Sequence, residues 1–255
     1  MIRLLVLLTG LIVSSVVVAT DVGKEKRWVE QVEANLFDGE MIWLDAAGHS
    51  FLGVLIESEM PKGVVVLAHG TGVHPNWPQV TNPLRVALAE MGWTTLSIQM
   101  PVLHNEIGHD DYAPVFPEAW PRFKAAADYF SGQKPLVLHG FSLGSSMSTW
   151  YLKHHTDHPY DAFIGIGMGG NSDSESTFQE ADNVESLKSV TVPVLDLYGE
   201  NDFSGILASA AGRADSQKHN SAYTQVMAKS ANHFFDGQDD QLIKIVSNWL
   251  NEMVK

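Results

Sequence analysis

The sequence predicts an α/β protein, with a mostly parallel central sheet and helices on both faces. Three observations predict it. Apolar, β-branched runs alternate with segments of helical spacing, the pattern of repeated strand–helix units. The run "GVVVLAHG" (63–70) is apolar almost throughout, as a strand buried on both faces requires. Hydrophobic residues make up 45% of the 255 positions and charged residues 18%, enough apolar material for a substantial core. No internal repeat, low-complexity tract or long linker interrupts the pattern, so residues 20–255 are expected to form one domain.

The first nineteen residues differ in kind. "MIRLLVLLTGLIVSSVVVATD" carries Arg3, an apolar run from Leu4, and Val17-Val18-Ala19 before Thr20. That is the pattern of a secretory signal peptide cut after Ala19. The rival is a retained anchor, since about 20 apolar residues span a bilayer. Thr9, Gly10, Ser14 and Ser15 break the run and favour cleavage. The expected product is periplasmic or secreted, without stable membrane insertion.

The elements then follow in order. Lys24 to Leu36 is a polar, helical lead-in. "MIWL" and "FLGVLIE" flank the turn-like Asp45-Ala46-Ala47-Gly48 and predict an antiparallel hairpin. "GVVVLAHG" is the first buried strand, and "NPLRVALAEMGW" a helix with Pro83 near its start and Gly92 at its end. "WTTLSIQM", "KPLVLHG", "AFIGIGM", "VPVLDLYG" and "AYTQVM" are strands. Between and after them, "PEAWPRFKAAADYF", "SLGSSMSTWYLKHH", "FSGILASAAGRAD" and the amphipathic "DQLIKIVSNWLNEMVK" are helices. Gly169 to Val190 has room for one short helix and a polar loop, so no large cap domain is expected and the site should be open.

Composition excludes several classes. The net charge is −14, from 30 acidic against 16 basic residues, the wrong sign for a nucleic-acid partner. The absence of cysteine excludes disulfides, thiolate metal sites, a cysteine nucleophile and a lipid-modified N-terminal cysteine. Neither a dinucleotide fingerprint in context nor a phosphate-cradling loop with lysine is present, and no cofactor is expected.

Chemistry concentrates in "VLHGFSLGSSMS" (137–148), where Gly140-Phe141-Ser142-Leu143-Gly144 fits G-x-S-x-G between a strand and a helix. Such an elbow holds a serine in a strained turn, with its hydroxyl at a helix N-terminus that favours developing negative charge. A plain glycine-rich connection is the competing reading of the pentapeptide alone. The rest of the chain supplies an acid and a base in the order such sites use. Asp202 lies just past the strand "VPVLDLYG", with Glu200 a possible substitute and Asp196 a structural residue inside the strand. His233 follows the last strand. His233 would take the Ser142 proton while Asp202 fixes its tautomer and stabilises the imidazolium. The oxyanion donors are expected to be the N–H of Leu143 and that of Thr71, with Gly70 the near alternative to Thr71.

Taken together, the early His69-Gly70-Thr71-Gly72, the G-F-S-L-G elbow, "YGEND" and "NHFF" resemble the α/β-hydrolase superfamily over nearly all of residues 20–255. "LAHGTGVHPNWP" followed by "PLRVALAEMGWTTLSIQMPVL" further resembles a group of functionally uncharacterised bacterial exported α/β-hydrolase-like proteins. The resemblance implies the α/β-hydrolase fold and a serine hydrolase acting on a small-molecule ester, thioester or other acyl substrate. It also implies an alternative, because the superfamily includes non-catalytic binding or assembly proteins.

Other polar clusters carry less. His154, His155 and His158 in "KHHTDHP" suggest a solvated helix end rather than a zinc site. His104, Glu106, His109, Asp110 and Asp111 fall on a loop at the edge where open α/β sheets bind ligands. His74 and Trp77 line the pocket or pack the oxyanion loop, and His139 packs at a strand end.

Overall fold

The protein is described by a computed structural model over residues 20–170 and 182–253. Helix α1 (Val22–Asn35) starts at Asp21, whose side chain accepts the Lys24 N–H at 2.9 Å and so satisfies one of the free amides of the first turn. Strands β1 (Glu40–Ala46) and β2 (His49–Ile56) form the expected hairpin. Its turn is only Ala47-Gly48, with φ of 50° and 83°. Two left-handed residues match the twist of a tight hairpin, so Asp45 and Ala46 stay in the ladder.

The alternating part follows as β3 (Val64–Ala68), α2 (Thr81–Glu90), β4 (Thr94–Ile98), α3 (Phe116–Tyr129), β5 (Leu136–Phe141), α4 (Leu143–His154) and β6 (Ala162–Ile166). It continues through α5 (Asn183–Leu187), β7 (Val194–Asn201), α6 (Ser204–Ser216), β8 (Tyr223–Asn232) and α7 (Asp239–Met253). A 3-10 turn over His109–Val115 leads into α3. The eight strands form one sheet in the order β1-β2-β4-β3-β5-β6-β7-β8. β1 and β2 run antiparallel to their neighbours, and β4, β3, β5, β6, β7 and β8 are mutually parallel.

Alternation along the strands divides the core in two. Val64, Val66 and Ala68 face α3 and α4 through Phe116, Phe123, Met147 and Tyr151. Val65 and Leu67 face α2 and α7 through Leu84, Leu88, Leu242, Val246 and Leu250. All five residues of β3 are buried, which explains why that strand carries no polar position. Each such side chain contributes roughly 1.5–3 kcal/mol by leaving water.

The last strand differs from its sequence expectation. β8 runs on to Asn232, well past "AYTQVM", with a register shift against β7 between Gly199 and Asn201. Polar Lys229 and Ser230 are tolerated because β8 is an edge strand with one free side.

Asp196 is structural, as expected. Its Oδ2 accepts from Arg213 Nε at 2.8 Å, with both side chains fully buried, and from Tyr223 Oη at 2.7 Å and Gln225 Nε2 at 2.8 Å. Burial, and then the neighbouring Asp196 charge, push the Tyr223 hydroxyl pKa upward, so it serves as a donor. Removing one member of a buried pair strands the other charge. Arg213→Met is expected to cost about 3–5 kcal/mol in urea unfolding, and Asp196→Leu added to it should recover much of that loss.

Candidate active site

Ser142 sits alone between β5 and α4 with φ 52° and ψ −119°, half-exposed while Phe141 and Leu143 are buried. A side-chain-bearing residue in this region costs about 1–3 kcal/mol, which the surroundings must offset. They do so through close backbone contact. A Cβ at Gly140 would lie 2.5 Å from Ser145 Cα, and one at Gly144 would lie 2.5 Å from the Ala68 and His69 carbonyl oxygens. Only glycine fits at either position. The Ser142 N–H donates to Ile166 O at 2.8 Å, extending the β5–β6 ladder, and Ser145 Oγ donates to Gly140 O at 2.6 Å. Ser142 makes no side-chain bond to the amides of α4, so its hydroxyl is not consumed as a cap.

Asp202 and His233 meet directly, with Nδ1 of the ring 2.7 Å from Oδ1 of the carboxylate. Asp202 lies just after β7 and is fixed by two backbone donors, Phe203 N–H to Oδ1 (2.8 Å) and Gly199 N–H to Oδ2 (3.2 Å). The carboxylate needs a donor from the ring, so the pair selects the tautomer with hydrogen on Nδ1 and leaves Nε2 free to accept. Glu200 is elsewhere: its carboxylate accepts the Ser230 N–H at 2.8 Å. The imidazole is held in place on several sides. Phe203 stacks on it at 4.4 Å, and Phe141 and Phe234 lie 5.1 and 5.0 Å away. Gly167, at φ 62°, backs onto it so closely that a Cβ there would lie 2.7 Å from Cε1. Ser142 is bonded to Ile166, immediately before Gly167, and follows Phe141. Serine and imidazole are therefore anchored to the same few residues at the end of β6 and β5.

The loop in which the second oxyanion donor is expected leaves the end of β3. Gly70 lies over the serine, since a Cβ on it would be 3.4 Å from Ser142 Cβ. His69 sets this loop. The Met100 N–H donates to His69 Nε2 at 2.9 Å, so the hydrogen is on Nδ1, which donates to Gly70 O at 2.8 Å. Burial pushes the His69 pKa down to about 3, which keeps the ring neutral. Fixing the Gly70 carbonyl also fixes the Thr71 N–H, which points the opposite way across the same trans peptide. The amide of Leu143, the first residue of α4, is the other expected donor.

Behind the loop, His74 packs between Trp28 and Trp77, at 5.3 Å from each ring. His74 is buried, which lowers its pKa to about 4, so the pair's role is to pack the loop against α1. His139 is buried in β5, as expected, with its pKa lowered to about 3. "KHHTDHP" is a solvated helix end, as expected, with His154, Thr156, Asp157 and Pro159 exposed. His154 and His155 also lie beside Trp120, with ring centroids 5.6 and 4.4 Å away. Of the loop cluster, the side chains of residues 109 and 110 lie outside the described residues.

Three features had no clear signal in the sequence. Lys24 and Glu25, in the polar lead-in, are both buried, and Lys24 Nζ donates to Leu103 O at 3.0 Å beside Gly72. Phe203, although 57% exposed, covers the imidazole. The linkage of His69 to Gly70 was visible only as the H-G-x-G string.

The chain has the α/β-hydrolase fold. It is similar to dienelactone hydrolase from Anabaena variabilis, with TM-score 0.66, 17% identity, and coverage of 84% of this chain and 96% of that one. It is also similar to a Xanthomonas campestris protein described as a serine hydrolase without lid, with TM-score 0.62, 18% identity and coverage of 85% and 95%. Est1E from Butyrivibrio proteoclasticus gives TM-score 0.64 and 14% identity, covering 84% and 98%. Residues 18–119 match the family model described as "Protein of unknown function (DUF3530)". No curated protein matches the chain in sequence.

Two outcomes follow from this geometry. Ser142→Gly should raise stability relative to Ser142→Ala by about 1 kcal/mol, because glycine relieves the left-handed strain and no cap bond is lost. Thermal melting of the two variants checks it. The pH dependence of stability should also carry the buried histidines. Their pKa values fall from 6.5 to about 3 for His69 and His139, so the unfolded chain takes up these protons first as pH drops. The stability they contribute is complete above about 6.5 and is lost progressively between 6.5 and 3. At pH 5 each withdraws about 2 kcal/mol. Urea unfolding of His139→Leu should therefore lose about 2 kcal/mol less than the parent between pH 7.5 and pH 5.

Proposed function

We propose that the protein is a serine hydrolase that cleaves a carboxylic ester or thioester through Ser142, His233 and Asp202. The reading is carried by one observation, the 2.7 Å His233–Asp202 pair anchored to the same strand ends as a left-handed serine. Ser142 Oγ attacks the acyl carbon while His233 Nε2 takes its proton, and the imidazolium is stabilised by Asp202. The carbonyl oxygen becomes an oxyanion received by the N–H groups of Leu143 and Thr71. Collapse breaks the bond to the alcohol or thiol, which leaves with the proton from His233. Water then repeats the sequence on the acyl-serine, releasing the acid and restoring Ser142. The exposed face of Phe203 beside the base suits a substrate with an apolar portion next to the scissile bond. Arg3, the apolar run and Val17-Val18-Ala19 support an exported, periplasmic or secreted setting. No helix of the described residues is long and apolar enough to cross a membrane.

An active-site-directed fluorophosphonate should label Ser142 alone among the serines. Ser142→Ala should abolish labelling and lower kcat on acyl esters by several orders of magnitude, and Asp202→Asn should lower it about 10³–10⁴-fold in folded protein. Absence of labelling and of turnover in the folded wild type would favour the non-catalytic binding protein instead.

A further inference from the structure

Thr20 occupies a polar site built around its own main-chain nitrogen. That nitrogen lies 3.1 and 3.2 Å from the two carboxylate oxygens of Glu118 on α3. The Thr20 hydroxyl donates to Glu25 Oε1 at 2.6 Å and accepts the Val102 N–H at 2.9 Å, and the residue is buried. The next amide, Asp21 N–H, donates to Val102 O at 2.7 Å. The start of the described chain is therefore held by contacts to two distant segments.

Charge makes the site unusual. The other inward-facing carboxylates have a basic partner: Glu25 has Arg122 and His49, Asp196 has Arg213, and Asp202 has His233. Among the described residues Glu118 has no such side-chain partner, and both of its hydrogen bonds come from Thr20 N. An amide offers one hydrogen and no charge to this half-buried carboxylate. Hydrolysis of the Ala19–Thr20 bond changes that. Water adds across the peptide, Ala19 departs as a carboxylate, and the Thr20 nitrogen gains a proton to become an ammonium with three donors.

We infer that Glu118 is the receptor for the α-ammonium formed when the chain is cut before Thr20, and that this ion pair fixes the oxyanion loop. The link to the loop is continuous. Thr20 Oγ1 and Arg122 Nη2 share Glu25 Oε1, at 2.6 and 2.8 Å. Arg122 Nη1 donates to Gln99 O at 2.8 Å, the Met100 N–H donates to His69 Nε2, and His69 holds Gly70 O. A second path runs through the first turn of α1. Asp21 caps Lys24, whose Nζ would be 3.1 Å from a Cβ on Gly72. Setting Thr20 in place thus sets both ends of the 70–72 turn.

The test uses residues 20–255 in two forms, one with a free Thr20 amine and one with that amine acetylated, each with Glu118 and with Glu118→Gln. The free-amine wild type should melt about 2–4 °C above its acetylated form, as an interaction near 1 kcal/mol produces in a chain of this size. Amide hydrogen exchange at residues 70–73 should be slower in it. Both differences should vanish in Glu118→Gln. Equal melting of the two wild-type forms, or a gap that persists in Glu118→Gln, would overturn the inference. So would N-terminal sequencing of exported protein that begins elsewhere than Thr20. Melting and exchange do not depend on turnover, so a failure here and a failure of the hydrolase reading are separately visible.

Discussion

The candidate site depends on how closely α4 approaches the ends of β3 and β5. The carbonyl oxygens of Ala68 and His69 lie where any side chain on Gly144 would begin, and Ser145 crowds Gly140 in the same way. A helix seated this low cannot be joined to its strand by a relaxed turn. One residue must bridge the gap in the left-handed region, and that residue is Ser142. Its strain, its half-exposure and its position before the free amides of α4 are consequences of one steric fact. Strain of this kind persists only where the surroundings over-determine it, and the bonds from Ser142 N–H to Ile166 and from Ser145 Oγ to Gly140 do so here.

The parallel strands complete the arrangement because they all end at the same edge. β3 delivers the 70–72 loop, β5 leads into Ser142, β6 into Gly167 behind the imidazole, and β7 into Asp202. Histidines take opposite roles at this edge. His233 is bonded to a carboxylate and keeps Nε2 available, whereas His69 has both nitrogens engaged and burial keeps it uncharged. The same side chain thus keeps a nitrogen open in one place and acts as a backbone clamp about one loop away.

The order of strands and helices was legible in the sequence because each element carries a strong period or a clear boundary residue. Glycines and Ser142 were legible because a tight turn admits few residue types. Asp202 and Glu200 could be ranked only by their distance from the strand end, and the structure separates them by sending Glu200 to Ser230. What sequence could not show was long-range polar pairing. Lys24 and Glu25 fall in a stretch with the composition of a solvated helix, yet their partners lie about 80 and 97 positions away in Leu103 and Arg122. No local pattern encodes such a contact, and the same holds for the packing of His155 on Trp120.

One row of the sheet links the nucleophile's turn to the rest of the protein. Register places Ala68, Gly140, Gly165, Asp196 and Gln225 side by side on β3, β5, β6, β7 and β8, pointing to one face. The first three are small: Gly140 leaves room for the backbone of Gly144 and Ser145 at the start of α4, and Gly165 leaves room for the Met168 side chain. Asp196 holds the Arg213 guanidinium, and Gln225 Nε2 donates to Asp196 Oδ2 and to Ala210 O, so the two together moor α6. These five positions are scattered over more than 150 places of the chain, yet register sets them in one line across five strands. An added methyl group at Gly140 would strike the backbone of the elbow itself, whereas one at Gly165 would meet only the Met168 side chain. The row therefore tolerates change unequally along its length, and least at the nucleophile's own strand.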